Sequence, residues 1–512
     1  MNRNLLKDKT FLLVAGIILI GIIVRIFVFG AVTTGHSQDS YWFITIGENF
    51  KNNFRIELAE NQPYDLSQPL HPILLGITSI IFNELYFNGK LFSLIFGILI
   101  LPMTYLFWKK VENKETAILA LFFTSFGALM LKYSVAIRED SLYVFLLMIT
   151  LFFIYKIKDD KKFLPIASIF IMLSSLTRWE GYLLIPVALF SFMYWHRKEI
   201  FEKNAFNLGV FLDKRFVLAF IIIFIPLFWW SFRSYGLCDC GVTGFIPSYS
   251  YQQQLSGGSG GAGLSYLTGI PEFIPWFFLI FVIGGLFFSL KEYRRYFPIF
   301  LYFVFTLFIH MNFRGKSEQI TYVYPLLAGF MSIFILKFKN LFSKKNMKIF
   351  YALLGIFLIF FAVVEVNAGY NETKTWGTRN DVIKDAMDWA NENIPDGETI
   401  LVGDTIVYSY FTEHNLVGVS YATSWMNSYI QQNPGLKDPI SSYVAFMIAN
   451  NVNYAVAYDS TMPWFYGLTE NLAKNREERI YNFEGGTVRI FPVQSFEKNG
   501  EEIVLYKIEF GE

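Results

Sequence analysis

The ionisable residues that could take part in chemistry lie in the connections between long apolar runs. Asp39 lies in the first long connection, and two short connections carry Arg138-Glu139-Asp140 and Arg178-Trp179-Glu180. Charged side chains at membrane depth are costly, so their concentration in separate connections indicates a functional site. The pattern favours a reaction at the outer membrane interface between a lipid-anchored substrate and an extracytoplasmic one.

Each of these residues also has a purely structural interpretation. Asp39 could cap the helix that is predicted to begin at about Ser40. The other charges could interact with helix dipoles or form local ion pairs. These residues are Arg138 with Glu139 and Asp140, and Arg178 with Glu180, while His71 could be an interfacial histidine without a ligand.

Long apolar runs predict the elements that position these residues. The chain has 512 residues, of which 54% are hydrophobic and only 17% charged, whereas about a quarter of the residues of soluble proteins are charged. Runs of this length are typical of helices that cross a bilayer. We expect roughly eleven spans, at residues 11–29, 91–108, 117–131, 142–155, 163–176, 181–195, 216–232, 273–290, 297–309, 322–336 and 349–364.

Basic residues at every second connection predict the orientation of the spans. Lys109, Lys110 and Lys114 lie in one such connection, and the lysines of residues 156–162 lie in another. Short cytoplasmic loops are enriched in lysine and arginine, so we expect the N-terminus inside and the C-terminal segment outside a cell membrane. Arg25, near the outer end of the first run, is expected to extend towards lipid headgroups.

A change in composition predicts two domains. Residues 1–366 form a transmembrane domain whose first outer loop, residues 30–90, is amphipathic and lies in the membrane interface. Residues 367–512 have evenly spread charges and short apolar strands. Strands are predicted at 399–402, 454–458, 487–491 and 503–510, and helices at 381–393 and 441–450. The predicted fold class is an α-helical polytopic membrane protein with a C-terminal extracytoplasmic α/β domain in a recognition or structural role.

The loop from 233 to 270 holds both cysteines and a glycine-rich run. Cys238 and Cys240 are too few for a disulfide framework, and we expect an ordinary pair of thiols. A strained disulfide or a metal site are the alternatives. The glycine-rich run at 256–263 is either a flexible linker or a mobile cover over a substrate site.

Several short motifs resemble those of the glycosyltransferase-C superfamily. Asp39 precedes Tyr41 in the first outer loop, and residues 69–75 and Arg138-Glu139-Asp140 follow in the order found in that superfamily. Thr177-Arg178-Trp179-Glu180-Gly181 is similar to the Thr-Arg-Pro-Glu-Gly signature of the protein mannosyltransferase and aminoarabinose transferase branches. Residues 322–327 are similar to their late Tyr-Leu-Leu-Pro segment. The chain differs at Ser40 and Thr321, where many relatives have an acid and an arginine.

The resemblance implies a donor in which a sugar is carried on a polyprenyl (dolichyl) phosphate. Asp39 would act as the general base for an acceptor hydroxyl on a protein or glycan, with inversion at the anomeric carbon. Four basic side chains would bind the donor phosphate, namely Arg138, Arg178, Arg314 and Lys316. Supporting residues, or ligands of a divalent Mg²⁺ or Mn²⁺ ion, would be Glu139, Asp140, Glu180 and His71.

Three other functions remain open from the sequence. An oligosaccharyltransferase-like enzyme would act on protein asparagine and depend on a metal, although the tryptophan-rich signature of such enzymes is missing. A flippase or transporter of lipid-linked sugars would need a polar pathway through the membrane, and the runs offer none. A sensor or scaffold would bind a cell-surface polymer through its outer domain. No nucleic-acid partner is expected.

Overall fold

The computed structural model divides the chain into two compact units. The first comprises Met1–Gly30 and Phe43–Glu372, and the second Ala31–Trp42 and Thr373–Glu512. The predicted boundary between residues 366 and 367 falls six residues before the end of the first unit. The structure describes residues 9–31, 38–59, 62–63, 68–82, 84–202, 205–237, 275–312, 317–402, 408, 411–412, 414–418, 445–458, 478–483, 486–498 and 501–511.

Helices make up most of the first unit. Two pairs of short strands, β1 (Glu57–Ala59) with β2 (Gln62–Pro63) and β3 (Phe201–Glu202) with β4 (Ala205–Phe206), lie in connections. The helices are α1 (Lys9–Gly30), α2 (Gln38–Asn53), α3 (Leu70–Phe82), α4 (Leu85–Val111), α5 (Lys114–Phe126), α6 (Ala128–Tyr133), α7 (Asp140–Ile157), α8 (Leu164–Thr177), α9 (Leu184–Trp195), α10 (Arg197–Ile200), α11 (Lys214–Leu237), α12 (Trp276–Leu290), α13 (Tyr293–Asn312), α14 (Tyr324–Lys339) and α15 (Met347–Asn393).

Each of the eleven predicted apolar runs coincides with helical structure. Among the described residues, six helices are long and apolar enough to cross a membrane, in α1, α4, α7, α11, the region of α14 and α15. The helices pair their own backbone groups, as lipid requires. Short helices α2 and α3 occupy the first long connection, where the sequence predicts interfacial helices. The count of spans and their direction remain predictions.

Arg25 does not extend towards lipid headgroups, and that prediction is wrong. Its side chain is fully buried and donates hydrogen bonds from Nη1 to the carbonyl of Ser125 at 2.8 Å and from Nη2 to that of Thr124 at 3.2 Å. Nε donates to Ser134 Oγ at 3.1 Å. The carbonyls at the end of α5 lack helical partners because the helix stops at Phe126. Hydrogen bonds from the buried guanidinium to these carbonyls stabilise the fold more than contact of Arg25 with water would.

The interruption between α5 and α6 is held from its other side by a carboxylate. Gly127 is extended at φ −60° and ψ 130°, so α6 starts with unpaired backbone N–H groups. Glu365 of α15 accepts a hydrogen bond from Ala128 N at 2.8 Å, and Lys132 pairs with Glu372 at 2.9 Å. These contacts fix α6, which leads directly into the charged connection before α7.

The second unit contains a mixed six-stranded sheet. Its order is β6-β5-β7-β10-β9-β8, with parallel pairing of β5 to β6 and β7 and antiparallel pairing elsewhere. The four predicted strands lie on β5, β7, β9 and β10 and are confirmed. The strands are β5 (Thr399–Val402), β6 (Asn415–Gly418), β7 (Val452–Tyr458), β8 (Arg479–Phe483), β9 (Gly486–Lys498) and β10 (Glu501–Gly511).

The core of the second unit lies between this sheet and the end of α15. Ala386, Met387 and Ala390 recur on one face of the helix and pack with Ile400 and Leu505. The predicted helix over 381–393 is therefore confirmed as the last three turns of α15. A turn that includes Gly397 at φ +89° connects it to β5; glycine adopts this conformation without strain.

Candidate functional site

The connection between α6 and α7 presents three of the predicted site residues. Arg138 Nε donates to Asp140 Oδ2 at 2.8 Å, and the guanidinium lies 5.4 Å from the ring centroid of Tyr133. A tight turn, closed by Arg138 N donating to the carbonyl of Ala136, brings the charged residues to the first turn of α7. The predicted local pairing of Arg138 with its neighbouring acid is confirmed.

The connection after α8 places a second arginine against the same acids. Arg178 Nε lies 3.2 Å from Glu180 Oε2, and its Nη1 forms an ion pair with Glu139 and lies 3.9 Å from Asp140 Oδ1. The guanidinium also lies 4.4 Å from the ring centroid of Tyr322. We call Arg138, Glu139, Asp140, Arg178 and Glu180 the ion network.

The ion network is buried and carries a formal charge of −1, from three carboxylates and two guanidinium groups. Asp140 and Glu180 expose 2% and 0% of their side chains, and Arg178 exposes 10%. Burial lowers the pKa of Arg178, but attraction by Glu180, Tyr322 and the two acids of the α7 turn raises it well above its ordinary value. The guanidinium therefore stays charged at every physiological pH.

Tyrosine side chains lie around the ion network, and their residue type alone did not predict them as part of a site. Tyr143 OH lies 2.9 Å from Tyr302 OH, and the Tyr143 ring meets Tyr322 edge-on at 5.3 Å between centroids. Trp179 packs edge-on against His310 at 5.8 Å. Only Tyr322 had a signal in the sequence, namely its place in the late tyrosine-proline segment. The others lie within apolar runs and look like ordinary core residues.

A close backbone contact explains why a glycine, Gly181, follows Glu180. A Cβ atom at this position would lie 2.3 Å from the backbone carbonyl carbon of Ser174 and 2.4 Å from its oxygen. The 3-10 turn Trp179–Leu183 thus folds directly onto the last turns of α8. This close approach directs Glu180 inward to Arg178.

The start of α3 holds a second group of buried polar side chains, Gln68 and His71, which we call the α3 pair. Gln68 is 2% exposed and His71 is 0% exposed. Within the part of the chain that the structure describes, neither the amide of Gln68 nor either ring nitrogen of His71 has a hydrogen-bond partner. His71 interacts electrostatically with Asp140 and Arg138, and burial lowers its pKa to about 3. Sequence reasoning singled out His71 and missed Gln68.

Asp39 lies in the first turn of α2, which begins at Gln38. The interpretation of Asp39 as the cap of a helix beginning at Ser40 is therefore wrong, because the helix already includes it. Asp39 is half-buried and belongs to the second unit through the segment Ala31–Trp42. Arg314, Lys316, Cys238 and Cys240 lie outside the described residues.

Among the described residues, no three His, Cys, Asp or Glu side chains are grouped so that they could hold a metal ion. Glu139, Asp140 and Glu180, the acids that the sequence proposes as ligands, are all paired with arginines of the ion network.

One family model matches the chain over residues 62–230, and its description is dolichyl-phosphate-mannose-protein mannosyltransferase. The matched part contains the α3 pair and the whole ion network. A search of curated protein sequences gives no significant match.

Two groups of solved structures are similar to the chain in fold. ArnT from Cupriavidus metallidurans bound to undecaprenyl phosphate has a TM-score of 0.58 and 11% identity, covering 96% of this chain and 97% of its own. Archaeal oligosaccharyltransferase AglB from Archaeoglobus fulgidus, in complex with an inhibitory peptide and a dolichol-phosphate, has a TM-score of 0.56 and 13% identity, covering 87% and 69%. With 96% of this chain covered, the similarity to ArnT extends over both the helical part and the sheet.

Proposed function

We propose that this chain belongs to the glycosyltransferase-C superfamily and that it transfers a sugar from a polyprenyl phosphate to an acceptor hydroxyl outside the membrane; the family match over residues 62–230 and the fold similarity to ArnT support the proposal. The observation that carries the proposal is the buried ion network. Two arginines are held charged and in fixed orientation at the start of α7, within the segment that matches the mannosyltransferase family. Guanidinium groups suit phosphate because they offer paired N–H donors.

In the proposed reaction the lipid phosphate is the leaving group, and negative charge develops on it as the glycosidic bond breaks. Arg138 and Arg178 stabilise this charge by exchanging hydrogen bonds from carboxylates to phosphate oxygens. The carboxylates keep both guanidinium groups oriented before the donor binds. Such preorganisation lowers the cost of reorganisation during the reaction.

Asp39 is the proposed general base. It takes the proton from the acceptor hydroxyl as that oxygen attacks the anomeric carbon, so that the new glycosidic bond has inverted configuration. Arg314 and Lys316 are proposed as further phosphate ligands. The acceptor is proposed to be a protein or a glycan on the outer face of a cell membrane.

A Mg²⁺ or Mn²⁺ ion bound by Glu139, Asp140, Glu180 or His71 remains a proposal. Among the described residues, these side chains do not form a metal-binding group by themselves. Transfer measured in EDTA, with and without added Mg²⁺ or Mn²⁺, tests this point. Full transfer in EDTA would remove the metal from the mechanism.

The base assignment is tested with purified protein, dolichyl phosphate mannose or glucose labelled in the sugar, and cell-envelope acceptors. We expect Asp39→Asn to lower the transfer rate by about 100-fold to 10,000-fold, because a positioned base contributes this much. Asp388→Asn, which changes an exposed aspartate of α15, serves as the control. Full turnover in Asp39→Asn would overturn the assignment of Asp39.

The phosphate assignment is tested by donor affinity. Arg138→Lys and Arg178→Lys keep a positive charge but lose the planar pair of donors. We expect dolichyl phosphate to bind each variant about 10-fold more weakly, which corresponds to about 1.4 kcal/mol. Unchanged affinity in one variant would remove that arginine from the phosphate site.

An oligosaccharyltransferase-like activity is the second candidate, favoured by the fold similarity to AglB. It predicts transfer of a glycan to the asparagine of an Asn-X-Ser/Thr peptide. A lipid-linked sugar flippase would instead move the labelled lipid across liposomes without forming a new covalent linkage. Product analysis by mass spectrometry separates the three outcomes.

A further inference from the structure

We propose that the α3 pair, Gln68 and His71, binds the ring hydroxyls of the sugar that the lipid phosphate carries. The inference rests on the proposed function and adds the group that recognises the sugar. Three features of the first unit support it. The α3 pair lacks hydrogen-bond partners among the described residues, both of its side chains are neutral, and the pair lies beside the ion network.

The α3 pair departs from the usual state of buried polar groups. At least about 90% of buried polar groups in proteins have a hydrogen-bond partner, and leaving one without a partner costs about 1–3 kcal/mol. The amide N and O of Gln68 and both ring nitrogens of His71 have none among the residues that the structure describes. On the same helix, Thr78 Oγ1 and Ser79 Oγ both donate to the carbonyl of Leu75, at 2.9 and 2.8 Å. Within α3 and the residues just before it, the unmet hydrogen bonds are thus confined to the start of the helix.

The chemistry of the α3 pair fits hydroxyl groups better than phosphate. Because burial lowers the pKa of His71 to about 3, its imidazole is neutral at pH 7 and has one donor and one acceptor nitrogen. The carboxamide of Gln68 likewise combines a donor and an acceptor. Phosphate oxygens only accept, so they would leave the two acceptors unsatisfied. Sugar hydroxyls both donate and accept, and neighbouring hydroxyls on one ring can satisfy both side chains.

Apolar and aromatic groups surround His71. The Phe43 and Phe92 rings meet the imidazole edge-on at 4.7 and 5.8 Å between centroids. Phe43 and Phe92 belong to an apolar cluster with Leu75 and Ile137. A sugar has C–H faces as well as hydroxyls, so it suits a site in which two polar side chains are set among aromatic rings.

The location of the α3 pair matches the order of groups along the donor. His71 interacts electrostatically with Arg138 and Asp140 of the ion network, where we propose that the phosphate binds. The sugar is bonded directly to that phosphate, so it must lie next to the ion network. This adjacency favours the donor's sugar over a sugar of the acceptor.

The test measures binding of two lipids to the purified full chain in detergent, one bare dolichyl phosphate and the other dolichyl phosphate carrying mannose or glucose. We expect the wild type to bind a glycosylated lipid more tightly than the bare one. Gln68→Met and His71→Leu should each weaken binding of the glycosylated lipid by about 3-fold to 10-fold, the loss expected for one hydrogen bond. Binding of bare dolichyl phosphate should change by less than about 2-fold.

Ser79→Ala is the matched control, because this buried hydroxyl of α3 already has its partner; it should change neither affinity. Variants that keep the wild-type preference for the glycosylated lipid would overturn the inference, as would a wild type with no such preference. Unchanged donor binding with a raised KM for a glycan acceptor would also overturn the assignment to the donor's sugar. Failure of the wild type to bind either lipid would instead contradict the proposed function.

Folding of the variants is checked by thermal unfolding in detergent without substrate. Gln68→Met and His71→Leu remove unpaired buried groups, so we expect their Tm to equal or exceed that of the wild type. A fall in Tm for both would show that the two side chains have partners in the empty protein and would contradict the inference.

Discussion

The ion network and the α3 pair are both buried in the first unit, yet they differ in how their polar atoms are satisfied. In the ion network Arg178 pairs with Glu139 and Glu180, and Arg138 pairs with Asp140. In the α3 pair neither side chain has a hydrogen-bond partner among the described residues. Every member of the first group has an ionic partner within the protein, whereas we propose that a ligand supplies the hydrogen bonds of the second.

This difference separates two tasks of a transferase. A leaving phosphate needs positive charge that is already in place, and a buried charge is costly unless opposite charges and hydrogen bonds stabilise it. Recognition of a neutral sugar needs hydrogen-bonding groups that the protein itself does not occupy. Loss of a polar side chain should therefore lower the free energy of unfolding in the ion network, whereas in the α3 pair it should leave that free energy unchanged or raise it.

The largest effect is expected from breaking the ion network. Arg178→Ala leaves Glu139 and Glu180 without their common partner, and we expect a loss of about 3–5 kcal/mol in the free energy of unfolding. Lys384→Ala breaks an exposed pair with Asp388 and should cost no more than about 0.5 kcal/mol. Unfolding in detergent measures both. Similar losses in the two variants would contradict the distinction between the buried network and a surface pair.

A smaller effect is expected from displacing the turn that carries Glu180. Gly181→Ala puts a methyl group 2.3 Å from a backbone atom of Ser174, and we expect a cost of about 2–3 kcal/mol together with lower transfer activity. Gly355→Ala in α15 meets nothing within 4 Å and is the control. It should leave stability unchanged or raise it by up to about 1 kcal/mol.

Acidification tests the α3 pair. The pKa of His71 falls to about 3 in the folded chain from its ordinary value of about 6.5 when unfolded, so the unfolded state binds more protons between these values. The contribution of His71 to the free energy of unfolding is therefore fully present above pH 6.5. It decreases as the pH falls, by up to about 2 kcal/mol at pH 5. His71→Leu should lose less stability over this range. Asp140 and Arg138, the charged groups that interact with His71, are common to both proteins. Equal losses in wild type and variant would show that His71 does not titrate in this way.

The smallest effect on stability is expected from Gln68→Met. Because the amide lacks partners, an apolar side chain of similar volume should change the free energy of unfolding by less than about 1 kcal/mol, and in the stabilising direction. Chemical denaturation without substrate measures it. A larger loss in the free energy of unfolding would show that the Gln68 amide has hydrogen-bond partners in the folded protein. The contrast with the ion network would then not hold.

Hydropathy and local motifs predicted the elements well. Each apolar run lies on helical structure, and strands such as Thr399–Val402 and Val452–Tyr458 occur where alternating or buried apolar segments predict them. The sequence also singled out residues that the structure brings together, because charges next to apolar runs are conspicuous; they are Arg138, Glu139, Asp140, Arg178 and Glu180. Gln68 was missed because an isolated glutamine in a loop has the pattern of an exposed residue.

The sequence by itself determined which segments are helices and strands and which connections carry charge, since both depend on neighbouring residues along the chain. Only the tertiary structure determined which of these charged and polar residues contact each other. Glu139 and Arg178 are 39 positions apart, and they meet because α7 packs against α8. Packing of α1 against α5 took Arg25 away from the lipid interface to the end of α5, and Gln68 and His71 are likewise buried by tertiary packing. Burial and pairing depend on which helices lie side by side, and no local pattern encodes that.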